Sequence, residues 1–141
     1  MQQYIETVAV SHGFALRIVQ AAIDEGAAAG IPVAVAVVDP AMQLVAYVRA
    51  DGTTPHSAET CRRKAQTAAS TRRRTGWMQG DLAVALPLGT GELLTNIRGG
   101  VPIVIDGRHL GGLGVAGGPP DRDGEIAIAV LRSLGAQTDF A

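Results

Sequence analysis

A chain of 141 residues, 47% hydrophobic and 18% charged, is the size of a single domain with a full core, and residues 1–141 read as one unit. Its 12 basic and 13 acidic residues leave a net charge of -1, which excludes the strongly basic balance of a general nucleic-acid or anionic-membrane binder. The single cysteine, Cys61, excludes an internal disulfide and points to a reducing, cytoplasmic setting, and no stretch approaches the roughly 18 continuous apolar residues of a membrane helix.

Residues 1–10 form a lead-in without strong periodicity. Ser11 is placed to cap a helix, because its hydroxyl can accept from the free amides of a first turn. Phe14, Ala15, Ile18, Ala21 and Ala22 then recur at helical spacing to about Ala29, where Gly30 and Pro32 end the helix. Ile31 to Val38 is almost wholly apolar and closes on Asp39-Pro40, which reads as a strand buried on both faces. Gln43 to Ala50 reads as a second strand. The four residues 39–42 between the two suit an antiparallel hairpin and are too few for a parallel crossover.

After the loop Asp51 to Pro55, residues His56 to Arg74 read as a second long helix with Ser57 as a candidate cap. Ala58, Cys61, Ala65, Ala68 and Ala69 give it a narrow stripe of small residues, and Lys64 lies to one side. Arg72, Arg73 and Arg74 suit the helix C-terminus, where cations meet the negative end of the dipole. Leu82 to Leu88 reads as a short helix and Glu92 to Ile97 as a third strand. Val101 to Ile105 and Leu110 to Ala116 flank Asp106-Gly107, a strong signal for a tight hairpin. The last helix follows Pro119-Pro120, gathers Asp121, Asp123 and Glu125 in its first turn, and ends at Gly135. The order predicts an α+β domain with about five antiparallel strands flanked by helices.

Glycine inside a strand marks a bulge or the close approach of another backbone or a ligand. The final strand carries Gly111, Gly112 and Gly114 and runs on to Gly117 and Gly118, so it reads as a strand kept bare for something to lie against. Residues 112–117 spell G-x-G-x-x-G, but inside the strand and without a following βαβ unit, so a dinucleotide fold is not indicated.

The segments VAVAVVDPAMQLVAYVRADG (33–52), KAQTA (64–68), RGGVPIVIDG (98–107) and LGGLGVAGGPPDRD (110–123) resemble the GlcG/HbpS-like family, which also supplies the C-terminal domain of PduO proteins. The resemblance runs from the first helix to near the end. It implies a profilin-like fold with a five-stranded antiparallel sheet, homo-oligomers, and haem as the ligand of some members. The chain departs from the family pattern at Pro40-Ala41, at Ala50 and at Ala116, where glycines, a methionine and a serine are usual. Some haem-binding members use a first-helix histidine; here that place aligns with Arg17, and His12 lies at the start of the helix.

Lys64 is the leading chemical candidate. It is expected either to pair with Asp39 or Asp51, tying helix to sheet, or to bind a carboxylate or act as base or nucleophile. Asp39 suits a turn cap or an acid/base role, and His56 a pocket-edge residue, haem ligand or acid/base group. Arg98, Gly99 and Gly100, with Gly112, Gly114 and Gly117, offer backbone amides to an anionic ligand. His109 is expected to be solvated in its turn, Cys61 to be a buried small residue, and no metal site is expected, since His56, Glu59 and Cys61 are too sparse a set. Two function classes stay open: a protein that binds a small, planar or anionic ligand, haem by resemblance, or a cofactor-independent enzyme using Lys64, Asp39 and His56 on an organic acid or biosynthetic metabolite. A small-molecule ligand and further copies of itself are the expected partners.

Overall fold

The computed structural model describes residues 1–140, whose elements are α1 (His12–Ala28), β1 (Ala34–Val38), β2 (Leu44–Arg49), α2 (Ser57–Thr71), α3 (Leu82–Gly89), β3 (Gly100–Ile105), β4 (Arg108–Ala116) and α4 (Pro120–Ser133). The strands form one antiparallel sheet in the order β2-β1-β4-β3. Helices α1 and α4 cover one face, and α2 covers the other.

Alternation along the two central strands sorts side chains by size. Val35 and Val37 of β1, with Leu113 and Val115 of β4, point into the larger core beneath α1 and α4. Ala34, Ala36 and Val38 point the other way, toward Cys61, Ala65 and Ala69 of α2. Covered on both sides, β1 is buried at every residue, as its unbroken apolar run requires. Ser11 caps α1 by accepting from the Phe14 amide at 3.1 Å.

The β3–β4 turn takes positive φ at both central residues, 53° at Asp106 and 73° at Gly107, the geometry that an Asp-Gly pair favours. At the β1–β2 turn, Asp39 Oδ1 accepts from the amides of Ala41 (2.9 Å) and Gln43 (3.0 Å), so its carboxylate fixes the turn.

The expected fifth strand is absent among the described residues: the sheet has four strands, and residues 92–97 are irregular. Side chains take the amides that a ladder would use. Thr95 N donates to Thr67 Oγ1 at 2.9 Å and Ile97 N to Thr95 Oγ1 at 3.2 Å, while Asn96 bonds both backbone polar groups of Met78. The short helix α3 packs no residue into the core and leaves Leu82, Val84 and Leu88 exposed. No helix among the described residues is long and apolar enough to cross a membrane.

Candidate functional site

The glycines of β4 have a structural occupant. A methyl group at Gly112 would run into the Ala65 carbonyl oxygen, and one at Gly114 into that of Cys61. What lies against the bare strand is the backbone of α2, so Gly112 and Gly114 are closed to a ligand and the expectation that they bind one is corrected. Alternation aims them at α2, and only a residue without Cβ admits the helix that closely.

This contact delivers Lys64 into the protein. Its residue is 1% exposed. Nζ donates to the Val115 carbonyl at 2.8 Å and to Asp123 Oδ2 at 3.2 Å, and Asp123 Oδ1 accepts from the Gly118 amide at 2.9 Å. The partner is therefore Asp123, not Asp39 or Asp51 as the sequence suggested. Asp39 sits at the far end of β1, beside Gly111, while Lys64 Nζ bonds Val115, four residues and roughly 13 Å away along β4. Asp39 thus belongs to a turn and is not brought into a catalytic set with Lys64. Burial pushes the Lys64 amine down and the Asp123 carboxyl up, and each charge opposes the other's shift. Gly99, at φ 131°, lies against the lysine: a Cβ there would stand 2.7 Å from Nζ.

Around this pair a cleft of about 250 Å³ opens, and Lys64, His56 and Gly117 meet there with Ser57, Thr60 and Asp123. His56 stands exposed at the head of α2, where its carbonyl accepts from the Glu59 and Thr60 amides. Arg98, Gly99 and Gly100 line a neighbouring cleft of about 520 Å³ with Arg74, Trp77 and Glu125, on the other side of the first turn of α4. Arg98 is paired with Asp121 at 2.8 Å, and the pair is exposed. Cys61 is buried with its thiol pushed up to about 12, so it offers no thiolate. Among the described residues no group of three His, Cys, Asp or Glu side chains could hold a metal.

Asp123 was missed as a site residue, yet its signal is present. The apolar stripe Ile126, Ala127, Val130, Leu131 continued backward by one turn lands on Asp123, which places a carboxylate on a buried face. Trp77 was also missed; it carries the Arg73 guanidinium over its ring at 4.3 Å.

His109, expected in solvent, is half-buried on β4, with Nε2 2.8 Å from the Ala69 carbonyl. Burial first, then the nearby Arg72 charge, holds its pKa below the ordinary 6.5. Below that ordinary value the unfolded chain binds the proton that the folded chain refuses, so stability falls as pH drops through this range. The thermal midpoint of the wild-type chain should therefore decline more between neutral pH and pH about 5 than that of His109→Gln, as scanning calorimetry would show. Equal declines would remove His109 as the cause.

Residues 10–132 match the family described as haem degrading protein, HbpS-like. The chain belongs to the HbpS-like family. It is 36% identical to protein GlcG of Escherichia coli K12 over 110 residues, 77% of this chain and 82% of that protein. Among solved structures, a double mutant of HbpS from Streptomyces reticuli superposes with a TM-score of 0.84 at 31% identity, covering 94% of this chain and 92% of that one. A PduOC:heme complex gives a TM-score of 0.85 at 25% identity over 94% of this chain and 100% of that one.

The HbpS-like kinship raises haem, and the residues of the Lys64 cleft do not fit it as a buried group. About 250 Å³ lies below the roughly 300–1,000 Å³ of sites that enclose a larger ligand. Much of the lining is small and polar, and its one imidazole, His56, stands on the rim. The neighbouring 520 Å³ cleft has room and arginines but no His, Cys, Met or Tyr among its lining residues. His12 is exposed at the start of α1, and Arg17 lies over the Phe14 ring at 5.7 Å.

Proposed function

We propose that the protein binds a small organic ligand in the Lys64 cleft, through a carboxylate or carbonyl oxygen on the ligand. The supporting observation is the donor count at Nζ. A lysine ammonium has three N–H donors, and the structure supplies acceptors for two, Val115 O and Asp123 Oδ2. The third is free for a ligand oxygen in the cleft, with the hydroxyls of Ser57 and Thr60 and the His56 ring beside it. A calorimetric and thermal-shift screen of short carboxylates and carbonyl compounds tests this. A binder should raise the thermal midpoint of the wild-type chain and bind more weakly to His56→Ala. If none shifts the midpoint, the reading fails.

Haem is the second reading, favoured by the likeness to the PduOC:heme complex. It would rest against the outside of the cleft, with His56 as the only lining imidazole. Hemin titration should then give a sharp Soret band that His56→Ala weakens. A spectrum indifferent to the protein removes haem and leaves the small-acid reading standing. The acid/base enzyme keeps Lys64 and His56 as candidates, with Asp123 in place of Asp39; turnover of a bound acid would be its sign. Self-association is supported by the exposed apolar residues of α3 with Leu93 and Ile97, and light scattering reads it.

A further inference from the structure

The opposite end of the sheet carries a second cleft that the Lys64 reading does not use. It measures about 530 Å³ and lies between Ile5, Val8 and Pro40 on one side and Arg72, Arg108 and His109 on the other. Arg72 arrives there as the left-handed cap of α2, and Arg108 opens β4 after the hairpin turn. Neither arginine has a carboxylate within ion-pair distance among the described residues, although Glu6 lines the same cleft.

The imidazole adds a second, independent demand. Nε2 of His109 faces the Ala69 carbonyl, which can only accept, so Nε2 carries the proton. In the neutral ring Nδ1 is then a bare acceptor, and it is buried with no hydrogen-bond partner. The cleft therefore presents two unpaired cations and an aliphatic wall, with one buried, unsatisfied acceptor on a residue of its lining.

We propose that this cleft binds an aliphatic hydroxy acid. The carboxylate pairs with Arg72 and Arg108, whose planar guanidinium groups suit a two-oxygen anion. The hydroxyl donates to Nδ1 of His109. The alkyl chain lies on Ile5 and Val8, which are 79% and 38% exposed without it. The lead-in that forms this wall is tied to β4 by one backbone bond, Val10 N to Leu110 O at 2.9 Å, and binding requires it to move aside so that the hydroxyl reaches the ring. No acceptor or cation of the Lys64 cleft takes part.

Isothermal titration with 2-hydroxyhexanoate and hexanoate tests the proposal. The hydroxy acid should bind the wild-type chain about tenfold more tightly than hexanoate, the worth of one hydrogen bond to a buried acceptor. His109→Gln keeps an amide donor for Ala69 and drops the acceptor, so it should lose that preference while still binding hexanoate. Arg72→Gln with Arg108→Gln should lose both acids. Nitrogen NMR of the wild-type imidazole supplies a check that needs no variant: the Nδ1 resonance should move with the hydroxy acid and stay with hexanoate. Equal affinities in the wild-type chain, a preference that survives His109→Gln, a still Nδ1 resonance, or no heat from either acid at millimolar concentration would each overturn it.

Discussion

Replacing Lys64 with alanine should cost about 3–5 kcal/mol of folding stability, measured by urea denaturation. The reason is what it leaves behind. Asp123 is 1% exposed, and without the lysine it retains only backbone amides as partners for a largely desolvated charge. The Val115 carbonyl loses its donor from Lys64 in the same step. Removing both charges is the informative contrast. Lys64→Met with Asp123→Leu replaces the pair by apolar side chains of similar volume and should recover most of the loss, because the cost of drying two charges disappears with them. If Lys64→Ala costs less than about 1 kcal/mol, within the range of ordinary substitutions, the pair does not hold Lys64 of α2 to Asp123 of α4.

Gly114→Ala is the second large effect. Its new methyl would overlap the Cys61 carbonyl oxygen and stand 2.6 Å from the Ala65 amide, and both are backbone atoms of α2 that no rotamer change can move. The helix must lift, at a cost of about 1–3 kcal/mol or more. Gly13→Ala is the matched control. It lies in α1 with nothing within 4 Å of the added carbon, so it should be neutral or stabilising by up to about 1 kcal/mol. Similar unfolding midpoints for the two variants would show that the helix does not rest on the strand at this residue.

Most of the fold was legible because its signals are local. Ser11, the apolar run before Asp39 and the Asp106-Gly107 pair each act within a few residues, and each forms the expected cap, strand or turn. The segment 92–97 misled because its alternating pattern is compatible with a strand, while its amides are claimed by Thr67 and Thr95. The hydroxyl of Thr67 lies on another element, which no local window reveals. The site was half legible for the same reason. Lys64 stood out on its helix, but its true counterion is 59 residues away. Asp39 was closer in sequence and is the same residue type, and only the path of β4 separates the two. The bare strand was read correctly as an invitation to close approach, and the guest proved to be the chain's own helix.

The contact between α2 and β4 has a mechanical consequence. Where main chain meets main chain, no side chain is left to swing or repack, so helix and strand turn together as a single lever. Any motion that accompanies ligand capture has to be carried at the lever's two ends, by the 51–56 loop and the Pro119 junction on one side and by the amino-terminal lead-in on the other.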